Sequence, residues 1–405
     1  MIKKTFFITL ITLVFSCTKN DVFERENQII INPIAKCENG LAGEYPCNDY
    51  DLLTHFSLEE FGGSDTVISD SWGWTHATSK KEFALICTNK GVTFINITDP
   101  ANAVIVGTLK TNSEENGIRN IITFQSFVYV ISESPDHGVQ SLNLEKLLNI
   151  NTPPIEFTSD RDYTFFKYAS NISINENTDF AYVSGTNTFS GGIHFLNLND
   201  PSKIKDAGGY SNNSYGNKTK VITYKGPDTD YTDKEILIGS NNNEVVILDI
   251  TDKENPVKIT SFTYPNIGKT HPNGFTEDFK YFIFGDELDE INNSANTNII
   301  IYDFTDLDNP IHHFNYTGNT TAIDKNGYIK GTNYYLANYT SGIRILDISN
   351  IDNKSFTEIG FFDTYTENNN SETKGVVNVY PYLESGNIIV SDTNNGFFLI
   401  RKSKT

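Results

Sequence analysis

The stretch FALICTNKGVTFINITDP, residues 83–100, decides the fold. Its first six residues are apolar or small, as a strand buried on both faces would be. The polar turn Asn89-Lys90-Gly91 reverses the chain, and Val92 to Ile97 form a second strand in which apolar residues predominate. Asp99-Pro100 then ends it. The same succession recurs along the chain: FVYVISESPDHGVQSLNL from Phe127, FAYVSGTNTFSGGIHFLNLNDP from Phe180 and EILIGSNNNEVVILDITDKENP from Glu235. It continues as YFIFGDELDEINNSANTNIIIYDFTDLDNP from Tyr281, YYLANYTSGIRILDISNID from Tyr334 and NIIVSDTNNGFFLI from Asn387. Seven hairpins result.

Successive second strands lie roughly 43 to 54 residues apart, the period of a four-stranded propeller blade and too long for a leucine-rich or hexapeptide solenoid. The intervening residues supply an outer strand after the Pro loop, as in AVIVGTL from Ala103, PVKITSFTY from Pro256 and FTEIGFFDT from Phe356. They also supply an inner strand before the hairpin, as in NIITFQ from Asn120 and KVITYKG from Lys220. The last hairpin lacks an outer strand, whereas DLLTHFSLEEFG from Asp51 resembles one with no hairpin before it. Pairing the two removes both exposed sheet edges. The expected fold is therefore all-β: a β-propeller of seven four-stranded blades, closed by pairing of the two ends, over residues 36–405. Helix is expected only at LEKLLNI from Leu144.

Lys3 and Lys4 precede the apolar run Phe6 to Phe15, which is too short to span a bilayer. The run ends in Leu13-Val14-Phe15-Ser16-Cys17, similar to the lipobox at which bacterial lipoproteins are cleaved and acylated. Residues 1–16 are thus expected to be a signal peptide, Cys17 the lipidated residue, and the polar stretch 17–35 a tether. Export implies an outer-membrane anchor, at the cell surface or the periplasmic face. It also places Cys37 and Cys47 in an oxidising compartment, which favours a disulfide. A zinc site would need two more sulfur or imidazole ligands, and only His55 is near. Cys87, within the first hairpin, reads as a small buried hydrophobe. The formal net charge of -20 excludes a nucleic-acid partner, since nothing could neutralise a run of phosphates.

The repeat resembles the LVIVD repeat, and the chain beyond the tether resembles the bacterial choice-of-anchor B family. The segments carrying the resemblance are residues 37–62, 71–107, 224–259, 284–290, 335–350 and 360–365. It implies a secreted or surface-anchored propeller and no particular reaction. Where relatives carry further histidines, this chain has Ser170-Asn171-Ile172 and Asp324-Lys325-Asn326, so any site built on them is lost here.

Asp99, Asp249, Asp303 and Asp347, with Asn96 and Asn197, follow second strands and are expected to form side-chain to backbone turns rather than a ligand set. The densest acidic group is GDELDE, with Asp286, Glu287, Asp289 and Glu290. Two readings are open: a solvated acidic turn, or hard oxygen ligands for calcium, the one cofactor the sequence suggests. Asp228, Asp230 and Asp233 alternate in a second acidic run that lacks the Gly and closing Glu of an EF-hand. His76, His137 and His271 sit before or within hairpins, and Trp72 and Trp74 offer aromatic faces at a channel mouth. These five are the candidate ligand-facing residues; the histidines also read as exposed or hydrogen-bonded loop residues, and the tryptophans as packing between the first two blades. No catalytic residue is assigned, and no nucleophile elbow, HExxH pair or phosphate-binding Gly loop is present.

A rigid ring with variable loops suits recognition, so the first expectation is a membrane-anchored, non-enzymatic module binding a protein or glycan. The alternatives are a calcium-assisted hydrolase or lyase acting on an extracellular polymer, and a structural cell-envelope protein.

Overall fold

A computed structural model describes residues 33–115, 117–211, 218–241 and 243–404. The signal peptide, Cys17 and most of the 17–35 tether lie outside the described residues. Each hairpin read from the sequence forms the middle of an antiparallel sheet, with seven sheets in all.

Blade 1 is built from Ile68–Thr75, Glu82–Thr88, Gly91–Asn96 and Val104–Lys110, in order from inner to outer strand. Blades 2 to 6 repeat this order, with inner strands Arg119–Phe124, Asn171–Asn175, Thr219–Thr223, Thr270–Phe275 and Gly327–Lys330. In blade 7 the inner strand is Val376–Tyr380, followed by Ile388–Asp392 and Gly396–Lys402. Its outer strand is Tyr50–Phe56 from the other end of the domain, in register Leu52↔Ile400 and His55↔Phe398. This is the closure expected from the unmatched segment at Asp51.

Two blades exceed four strands. Ile155–Phe157 adds in parallel to the outer strand of blade 1. The Cys37–Cys47 disulfide forms, and its loop packs against the closing blade, where Tyr45 lies 5.1 Å from Phe398 and the Cys37 N–H donates to Asp51. Tyr45–Asn48 also pairs with Thr357–Phe362 and extends blade 6 outward.

The second strands end as the residue types require. Asp99, Asp249, Asp303, Asp347, Asn96 and Asn197 each accept a backbone N–H two residues on, at 2.8–3.1 Å. All six are therefore turn formers. Cys87 is buried in a strand. Leu144–Leu147 forms a 3-10 turn. The GDELDE hairpin adds a short helix, Asp289–Asn293, that strand alternation did not foreshadow.

The core lies between faces of adjacent blades. Leu85, Phe94, Val128 and Leu142 join blades 1 and 2, and Ile236, Ile247, Phe282 and Phe304 join blades 4 and 5. Apolar side chains fill these interfaces, and polar inner-strand residues collect around the axis.

Candidate functional site

The inner strands converge on a central channel, and a belt of short polar side chains links neighbouring blades around it. Asp70 accepts the side-chain amide of Asn120 and the N–H of Ile121 at 3.0 Å. Asn120 accepts the N–H of Ile172 at 3.0 Å, and Asn171 that of Thr219 at 3.0 Å. Asn273 accepts the N–H of Gly327 at 3.1 Å. The Asn326 amide donates to the Val377 carbonyl, and the Asn378 amide to that of Ser71. Inner-strand backbone groups facing a channel have no fifth strand to pair with, so side chains from the adjacent blade satisfy them. The sequence carries a weak trace of this belt in Asn120-Ile121 and Asn171-Ile172, each within the first residues of an inner strand.

Along this belt runs a cavity of about 500 Å³, within the roughly 300–1,000 Å³ typical of small-ligand clefts. One wall is aromatic. Trp72 lies 5.0 Å from Tyr380 and 6.3 Å from Tyr328, centroid to centroid, and Tyr382 lies 5.5 Å from Tyr380. Gly73 makes this packing possible, because a Cβ there would sit 2.3 Å from the Tyr380 ring. Two lysines, Lys218 and Lys220, line the same cavity. Lys218 donates to the Asn326 side chain. Burial, then repulsion from Lys325, pushes its ammonium pKa down, against the pull of Asp70 and Glu287. Burial alone pushes Lys220 down, and among the described residues its ammonium has no hydrogen bond or ion pair. Burial raises the Asp70 carboxyl, although its amide donors and Lys218 oppose this.

The five ligand-facing candidates separate. Trp72 lines the cavity. Trp74 is buried against Phe83 and donates to the Gln125 carbonyl at 3.1 Å. His76 packs beside Trp74 and lies 3.3 Å from Glu145. His137 is fully buried, and burial pushes its imidazole down to about 4. His271 is also buried, held between the Lys325 carbonyl at 2.7 Å and Glu287 at 3.3 Å, and likewise pushed down to about 4.

The GDELDE carboxylates are not solvated: all four are at most 5 % exposed. They fall into three environments. Asp286 accepts from the Tyr264 hydroxyl and from the N–H groups of Gly268, Lys269 and Leu288. Glu287 sits among Lys269, Lys325, His271 and the Tyr339 hydroxyl. Burial alone would raise it, but these partners hold it well below the usual carboxylate range. Asp289 and Glu290 instead face Asp324, which lies just before the inner strand of blade 6 and is far away in sequence. In the second acidic run, Asp228 caps a 3-10 turn and meets Asp306 and Asp308 at the surface, while Asp233 pairs with Lys225.

No family model matches the chain, and no curated protein matches it in sequence. Solved structures do match its fold. The C-terminal WD40 domain of Sif2 aligns with a TM-score of 0.53 and 8% identity, over 88% of this chain and 99% of that one. The WD40 beta propeller domain of Doa1 aligns with a TM-score of 0.55 and 12% identity, over 88% and 97%. At such identities the likeness shows the propeller fold.

Proposed function

We propose that this propeller is a binding module, anchored to the membrane through Cys17, whose central channel takes an acidic sugar or the end of an acidic glycan. One observation carries the reading: Lys220, whose ammonium has no hydrogen-bond or ion-pair partner among the described residues, lines the same cavity as Trp72, Tyr380 and Tyr382. Aromatic faces stack on the apolar faces of sugar rings, and the Asn, Ser and Thr side chains offer both donors and acceptors to hydroxyls. Lys220 is half-buried in the cavity lining, and a ligand carboxylate would give its ammonium a charge-assisted partner. The anchor and an exported location are inferred from the leader, and membership of the choice-of-anchor B family from the quoted segments.

Fluorescence titration with uronic-acid oligosaccharides and their neutral counterparts tests this, since Trp72 and Trp74 are the only tryptophans and only Trp72 lines the cavity. Acidic oligomers should quench Trp72. Trp72→Phe should abolish the signal, and Lys220→Ala should weaken binding about tenfold or more. Equal binding of neutral oligomers, or quenching that survives Trp72→Phe, would exclude the channel reading. Release of the protein from the membrane fraction by Cys17→Ser tests the anchor separately.

A second reading, a lyase or hydrolase, draws on the opposed shifts of Lys218 and Asp70, since perturbed acids and bases concentrate at catalytic sites. Chain shortening of the bound oligomer, lost in Lys218→Ala, would favour it.

A further inference from the structure

We propose that Asp289, Glu290 and Asp324 hold a divalent cation, calcium by their donor chemistry, and that this ion ties blade 5 to blade 6. The site is separate from the channel reading and does not depend on it.

Each of the three residues offers an oxygen lying within 4.8 Å of the other two, about the span of oxygens across a calcium ion with bonds of roughly 2.4 Å. All three are buried, at 5 %, 0 % and 0 % exposed. Their outward oxygens have protein donors: Asn298 gives its N–H to Glu290 at 3.0 Å and its side-chain amide to Asp289 at 2.7 Å. The remaining oxygens, Asp289 Oδ1, Glu290 Oε2 and both of Asp324, have no donor. Asp324 is therefore a fully buried carboxylate aimed at two others with no protein donor of its own. The backbone makes room for it, because a Cβ on Gly285 would lie 1.9 Å from Asp324 Oδ2.

No lysine, arginine or histidine forms an ion pair with any of these three among the described residues; the nearby cations are committed to Glu287. Three carboxylates buried together require either a cation or shared protons. Without an ion, burial and mutual repulsion raise Glu290 and Asp324, so the protein would carry protonated acids. A hard divalent ion meets the same demand with the oxygens already in place. It would also fix residues 324–326, from which Lys325 reaches Glu287 and Asn326 reaches blade 7.

The test is calorimetric titration of EDTA-treated, buffer-exchanged protein with calcium and, separately, magnesium, alongside thermal unfolding. One calcium should bind per chain with Kd between about 10⁻⁷ and 10⁻³ M, more tightly than magnesium. Saturating calcium should raise the unfolding midpoint by about 3 °C or more. Glu290→Gln and Asp324→Asn should each weaken binding roughly tenfold or more, while Asp306→Asn, in the exposed surface cluster, should leave it unchanged. If Asp324→Asn does not fold, Glu290→Gln and the wild-type titration decide. Absence of binding heat and midpoint shift up to about 10 mM of either ion would overturn the proposal in favour of shared protons. So would binding that Asp306→Asn abolishes and Glu290→Gln leaves intact.

Discussion

The side-chain amide of Asn378 donates to the carbonyl of Ser71 at 2.7 Å, joining the last blade to the first beside the axis. The Asn378 oxygen accepts from the Tyr328 hydroxyl at 2.8 Å and the Asn326 amide at 3.2 Å. One buried amide thus connects three blades, while the outer closure rests on the Leu52↔Ile400 ladder. Asn378→Ala should lower stability by about 1–3 kcal/mol, because it leaves buried partners unsatisfied. Urea unfolding measures this, with exposed Asn353→Ala as a control expected to lie within about 0.5 kcal/mol of wild type.

Acid should weaken the fold through its buried histidines. His137 is pushed down to about 4 in the fold, against a usual value of 6.5. Between those values the unfolded chain binds more protons, so this contribution is complete above pH 6.5 and is lost as pH falls toward 4. The full effect corresponds to roughly 3 kcal/mol. Burial raises Asp363 to about 6, which acts oppositely: its share of stability is present below its ordinary value of 3.8 and is lost as pH rises through about 6. The His137 effect is therefore read as a difference: His137→Leu should lose less stability than wild type between pH 7 and pH 4.5. Parallel curves would show that His137 does not titrate as its burial implies.

Reducing the Cys37–Cys47 bond should cost about 2–3 kcal/mol by the loop-entropy relation for a separation of 10 residues. The bonded loop lies at the outer edge of blade 6, so circular dichroism should keep its strand signature after reduction. Collapse of that signature would mean that the loop is needed for closure itself.

Gly73→Ala should displace the Tyr380 ring and disturb the channel wall, with a destabilisation of about 1–3 kcal/mol. Tyr380→Leu should recover part of that loss in the double variant, because the clash is between these two positions. Additive effects would place the strain elsewhere.

The propeller was legible because its information is local and repeated. Apolar runs such as Phe83 to Thr88, a polar turn and a second apolar strand reappear at each blade, most of them closed by Asp or Asn, and backbone pairing needs little more. Even ring closure could be read, since a strand without a hairpin at Asp51 and a hairpin without a strand at Ile388 are complementary vacancies in one pattern. The disulfide followed from spacing and compartment, though not the sheet it joins. What a side chain meets across the axis is a different kind of fact. Lys220 and Trp72 face one cavity, and Asp324 reaches Glu290, because seven short strands converge on one axis. Sequence distance carries no record of that convergence. The GDELDE run shows the difference: four adjacent acids look alike as letters, yet hydrogen-bond donors take Asp286, cations take Glu287, and a residue from the next blade completes the group formed by Asp289 and Glu290. Composition set the number of carboxylates, and only tertiary packing could set which of them are paired, because burial and proximity decide the free energy of a charge.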